Sequence, residues 1–120
     1  MSKISSISIA VTTFNRFDLT IKSFESVLND DRVHEVVIVD DCSTNGDGER
    51  LMEHFKGNPK VFVFINKHNL GMSRNKMLAI GYCATDFVII LDSDNIINTD
   101  YIDTLFALGE LDDDTIYMPD

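Results

Sequence analysis

Cysteine, positive charge and long apolar runs are all scarce in this 120-residue sequence, and each shortage removes a class of protein. Cys42 and Cys83 are the only thiols; they lack the density of a secreted disulfide scaffold and the Cys-x-x-Cys spacing of a zinc site. Both are expected to be free, in a reducing, cytoplasmic compartment. Ten basic residues against twenty acidic ones leave a formal charge of −10. Such a field repels nucleic-acid phosphates and anionic membranes, so nucleic acid is excluded as a partner and any polyanionic ligand needs a cation or a local exception. The first apolar run is short and interrupted by Ser8, whereas spanning a bilayer takes about 20 residues. No membrane segment is therefore expected. Gly46 and Gly48 form Gly-x-Gly but are followed by Glu49 and Arg50 without a third glycine, which rules out a dinucleotide-binding fingerprint. Repeats, low-complexity stretches and linkers are absent as well.

What the sequence does contain is enough apolar material, 44% of residues, to give one domain a core. Four β-branched apolar runs, at residues 7–12, 35–39, 61–65 and 87–91, read as strands. Continuous hydrophobicity is the pattern of a parallel sheet covered on both faces. Helical spacing falls between them. Phe17, Ile21, Phe24 and Leu28 make one stripe over residues 17–28, and residues 49–55 form a shorter helix. Residues 71–82 form a third helix, with Asn69 as its cap and Met72, Leu78 and Ile80 facing the core. A fourth runs from about residue 99 to Leu108, stopped by Gly109, and residues 115–118 open a further strand just before the sequence ends. The alternation predicts an α/β fold, a doubly wound, mostly parallel sheet with helices on both faces. A sheet ending on so short a strand leaves apolar surface uncovered, which predicts self-association.

Ligands of open α/β sheets bind beyond the carboxyl ends of the strands. Three strands end there in polar clusters: Thr12-Thr13-Phe14-Asn15-Arg16, Asp40-Asp41-Cys42-Ser43 and Asp92-Ser93-Asp94-Asn95. Asp92 and Asp94, two residues apart, can share a hard cation, and oxygen-only ligation suits Mg²⁺ or Mn²⁺. Such an ion neutralises the charge on a departing diphosphate. A carboxylate at Asp40-Asp41 can accept the N–H of a nucleobase or close the strand in an Asx turn, and Phe14 can stack beside a base or join the core. Arg74, against the dipole preference at a helix start, suits a phosphate or a surface ion pair. His34, His54 and His68 have no ligand spacing and read as surface residues.

Together the segments Ser8 to Arg16, Val37 to Ser43, Asn69-Leu70-Gly71-Met72-Ser73-Arg74-Asn75 and Ile89 to Asn95 resemble the family 2 glycosyltransferases of the GT-A, Rossmann-like fold. The resemblance covers the family's N-terminal, donor-binding portion. It implies a UDP- or GDP-sugar donor held with Mn²⁺ or Mg²⁺, and transfer of the sugar with inversion to an acceptor saccharide or other hydroxyl compound. By position it places Thr12, Phe14 and Asn15 at the nucleotide, Asp41 on the base, Arg74 near base or phosphates, Asp92 at the nucleotide and metal, and Asp94 on the metal. Ser93 stands where many members carry a further acid, and the Gly71 to Arg74 spacing is shorter than usual. The family's general base lies beyond residue 120, so the catalytic residue is unassigned and the chain is expected to be truncated before the acceptor-binding part. Two other classes stay open: a non-catalytic nucleotide or nucleotide-sugar binding module, and a nucleotidyltransferase acting on a sugar phosphate, against which stands the lack of glycine in residues 12–16.

Overall fold

The apolar runs at residues 7–12 and 35–39 become strands whose side chains are buried on both faces, whereas the run at 61–65 leaves Phe62 exposed. The computed structural model describes residues 2–3, 6–107 and 110–111. A short strand β1 (Ser2–Lys3) is followed by β2 (Ile7–Thr13), helix α1 (Phe17–Phe24), β3 (Val33–Asp40), α2 (Asp47–His54), β4 (Val61–Ile65), α3 (Met72–Gly81), β5 (Val88–Asp92), α4 (Thr99–Ala107) and β6 (Glu110–Leu111). Four strands form a parallel sheet in the order β4-β3-β2-β5, and β1 pairs antiparallel with β6. The chain steps outward from β2 to β4 and then returns to the other side of β2 for β5, so the order reverses beside β2. The expected doubly wound α/β sheet is present.

The period of two along each strand sorts residues between two unequal cores. Ile7, Ile9 and Val11 of β2 join Val36, Ile38, Ile89 and Leu91 in a large cluster with Phe24 of α1, Leu51 of α2 and Ile102 and Leu105 of α4. Each of these larger side chains contributes about 1.5–3 kcal/mol on burial. On the opposite face Ala10, Val37 and Val39 cluster with Ala79 and Leu78 of α3 and with Phe64, Cys83 and Val88. Small residues there let α3 lie close to the middle of the sheet.

Several local expectations are corrected. Helix α1 stops at Phe24 and continues as a 3-10 turn over Glu25–Val27, because the Ser23 carbonyl accepts the Ile97 N–H at 2.8 Å. Helix α2 starts two residues earlier than expected, at Asp47. A Cβ on Gly48 would come within 2.8 Å of Asp40 Oδ2, so only glycine lets the helix start pass this close to β3. Asn69 does not cap α3. That position is Gly71, at φ 87° and ψ 162°, a conformation essentially restricted to glycine. Met72 is 71% exposed, not core, and the inward positions of α3 are Asn75 and Ala79. Leu78 packs on the sheet as expected, and all three histidines are exposed. The ends expected at Leu108 and Gly109 and the strand at 115–118 lie outside the described residues.

One ionic cluster ties α4 to the start of β3. Arg32 donates to Asp30 Oδ1 and Oδ2 at 2.9 and 2.7 Å, reaches Asp103 of α4 at 2.7 Å, and lies 5.3 Å from the Phe106 ring centroid. The hydrogen bond from Arg32 holds the Asp30 carboxyl at a pKa of about 2, against an ordinary 3.8. A lowered carboxyl pKa stabilises the folded chain above its unfolded pKa, and that contribution is lost as pH falls through the folded value. Arg32→Ala is therefore expected to cost roughly 1–2 kcal/mol near neutral pH. In urea titrations the gap from wild type should stay level above pH 5 and narrow as pH falls from about 4 toward about 2. A gap constant down to pH 2 would show that Asp30 takes no part.

Candidate donor-binding site

The C-terminal ends of β2, β3 and β5 open on one edge, at the reversal of strand order, and there they surround a cavity of about 370 Å³. Thr12, Thr13 and Phe14 line it from β2 and its loop, Asp41 from the end of β3, Asn69, Gly71, Met72 and Asn75 from the approach to α3, and Asp92, Ser93 and Asp94 from β5. Of the site residues expected from sequence, Thr12, Phe14, Asp41, Asp92 and Asp94 thus line one cavity. Phe14 is 39% exposed, so its ring faces the cavity more than the core.

The two adjacent aspartates divide the work. Asp40 is buried and turns back into the fold, where its carboxylate accepts the Ser43 N–H and hydroxyl. Burial pushes its pKa above the ordinary value, against those two hydrogen bonds from Ser43. Asp41 is the one aimed at the cavity. Its Oδ1 accepts Leu70 N at 2.7 Å and Asn66 Nδ2 at 3.0 Å, and its Oδ2 accepts Gly71 N at 3.0 Å. An ionised carboxylate has about four acceptor positions, so the protein fills most of them and leaves a fixed acceptor facing the cavity. Asn69 Nδ2 adds a bond to the Asp41 carbonyl at 3.1 Å.

Behind this carboxylate stands a chain of amides that the sequence reading missed. Asn75, 2% exposed, donates to the Val39 carbonyl at 3.1 Å and accepts from Asn66 Nδ2 at 2.7 Å. The signal was available: Asn75 and Ala79 are four apart on the inward stripe of α3, where a polar residue needs partners.

Asn15 and Arg74 are placed elsewhere. Asn15, at φ 55°, clasps two site loops together: its N–H donates to Ser43 Oγ at 2.8 Å, its Nδ2 to Thr44 Oγ1 at 3.1 Å, and its Oδ1 accepts Thr44 N at 2.9 Å. Arg74 is exposed and lines an adjoining groove with Leu70, Ser73, Met77 and Leu78. The acidic motif carries its own cations. Lys76 Nζ lies 3.3 Å from Asp92 Oδ1, and Arg16 Nη1 lies 3.7 Å from Asp94 Oδ2. Ser93 between them is buried. Among the described residues no three His, Cys, Asp or Glu side chains gather as a metal cluster. Cys42 and Cys83 are free thiols, and burial pushes Cys83 up to a pKa of about 12. No described helix is long and apolar enough to cross a membrane.

A parallel sheet with acidic motifs converging at its switch point defines a doubly wound α/β domain with its ligand edge at the strand ends, and comparison with known proteins names the family. The model of Glycosyl transferase family 2 matches residues 8–120, and the chain belongs to that family. The putative teichuronic acid biosynthesis glycosyltransferase TuaG of Bacillus subtilis is 30% identical over 90 residues, 74% of this chain and 36% of that one. Glycosyltransferase GlyA of Streptococcus pneumoniae is 27% identical over 101 residues, 83% of this chain and 14% of its own length. Among solved structures, S. aureus TarS 1–349 superposes with a TM-score of 0.71 at 26% identity, over 85% of this chain and 31% of that one. TarS has been crystallised with UDP and with UDP-GlcNAc. The chain thus spans little more than a third of these relatives at most.

Proposed function

We propose that this chain is the donor-binding part of a glycosyltransferase that moves a sugar, with inversion, from a nucleotide-diphospho-sugar to an acceptor hydroxyl with the aid of Mn²⁺ or Mg²⁺. The observation that carries the reading is the convergence of Thr12, Phe14, Asp41, Asp92 and Asp94 on one cavity at the switch point of the sheet. Phe14 offers a ring face to a base and Asp41 a fixed acceptor to its N–H. The UDP and UDP-GlcNAc complexes of TarS support a uridine donor here.

The residues fit a hard divalent cation in part. Asp92 and Asp94 both line the cavity with carboxylate oxygens to offer, and with no further cluster beside them among the described residues the diphosphate and water would complete the shell, as Mg²⁺ and Mn²⁺ accept. When bound, the ion neutralises the charge that develops on the departing diphosphate. A cytoplasmic location goes with this reading, supported by the free thiols of Cys42 and Cys83.

Calorimetric titration with UDP and then GDP, each with and without Mn²⁺, tests it. Mn²⁺-dependent binding of UDP is expected, weakened at least about tenfold in Asp94→Ala, a loss on the scale of one charge-assisted contact. Binding of neither nucleotide by the wild type, or equal binding by the variant, would overturn the assignment.

A further inference from the structure

A cation that neutralises a carboxylate competes with any metal that carboxylate would hold. Lys76 approaches from α3, with its side chain 22% exposed, and meets an Asp92 that is 36% exposed. Arg16, the residue before α1 and part of the cavity lining, meets Asp94 at 3.7 Å. Two carboxylates and two cations give a formally neutral set in a chain whose total charge is −10. A divalent ion alone would leave this set positive by two, and the dianionic diphosphate of a nucleotide sugar alone would leave it negative by two. The two ligands together restore neutrality. After solvent screening, a unit charge several ångströms away is worth roughly fivefold in an affinity.

We propose that Lys76 is a positioning residue which, through Asp92, sets the charge of the Asp-x-Asp motif so that metal and diphosphate bind as a neutral pair. The inference rests on the donor-site reading above. Lys76 weakens uptake of a bare cation and strengthens uptake of the nucleotide, and it does not itself contact the reacting atoms. Its removal shifts the two affinities in opposite directions. A residue that merely supported α3 would lower both.

The test is calorimetry on this chain with MnCl₂ alone and with UDP at saturating Mn²⁺. Lys76→Met is expected to bind Mn²⁺ alone roughly fivefold more tightly and UDP roughly fivefold more weakly. Lys76→Arg, which keeps the charge, should leave both within about twofold of wild type. Lys22→Met, on an exposed position of α1, removes the same bulk charge and should shift neither. Lys76→Gln repeats the measurement if circular dichroism shows the methionine variant unfolded. Both affinities falling together, or neither moving, overturns the role of Lys76 while the wild-type titration still supports the donor site. A wild type that takes up neither Mn²⁺ nor UDP overturns the donor site and this role with it.

Discussion

Replacing Asp41 with alanine is expected to destabilise the chain by about 3 kcal/mol and to lower UDP affinity roughly 100-fold. Asp41 is 6% exposed, and its carboxylate accepts from Leu70 N, Gly71 N and Asn66 Nδ2. Each bond to a charged acceptor is worth about 1.5–3 kcal/mol, and three donors stranded near the rim regain part of that from water. The residue also fixes the approach to α3. Gly71 sits at φ 87°, and its N–H donates to Asp41; without the carboxylate the turn keeps only weaker ties to the sheet, such as the Asn69 bond to the Asp41 carbonyl. Asp41→Asn keeps one acceptor oxygen and should cost about half as much. Thermal denaturation checks the first part: a midpoint lowered by roughly 10–20 °C is expected for alanine. An unchanged midpoint would mean that the carboxylate does not organise the loop. UDP binding unchanged in a folded Asp41→Ala would remove Asp41 from the donor site.

The sequence made the sheet legible because four apolar runs separated by helical spacing leave few other folds, and strand ends mark the binding edge without any knowledge of side-chain contacts. That edge picks out the three polar clusters, and the family resemblance singles out Thr12, Phe14, Asp41, Asp92 and Asp94 within them. Other features depend on what a side chain meets in space. Asn69 and Met72 are a good cap and a good core residue by type, yet the carboxylate of Asp41 from a strand distant in sequence binds the backbone before α3, and the helix then turns Asn75 inward and Met72 out. The Ser23 carbonyl, taken by Ile97, ends α1 early through a contact equally distant in sequence. Lys76 gave no signal in the linear pattern, since its partner Asp92 lies on another element. Arg74 resembles a family position, and its exposed side chain lines the neighbouring groove.

The amide chain behind Asp41 gives the second large effect, and its direction can be tuned by pH. Asn75 sits between the Val39 carbonyl, to which it donates, and Asn66, from which it accepts. Asn75→Asp keeps the shape but turns an oxygen toward the Val39 carbonyl and brings a second carboxylate toward Asp41, with Asn66 shared between them. The cost is expected to be about 3 kcal/mol or more at neutral pH, because a buried acceptor facing an acceptor loses the bond and adds repulsion. Protonation cures both faults, since the neutral acid donates to Val39 as the amide did. The introduced carboxyl therefore has a raised folded pKa, and its destabilisation is absent at low pH and grows as pH rises above the unfolded carboxyl value of about 4. Asn75→Ala loses the same bonds with no group to protonate, so its deficit of about 2 kcal/mol should not vary with pH. Urea midpoints of both variants, measured against wild type from pH 4 to pH 7, separate the cases. Parallel curves would show that position 75 acts only by packing, whereas a gap that opens with pH for aspartate alone places a hydrogen-bond donor to Val39 at the root of the site.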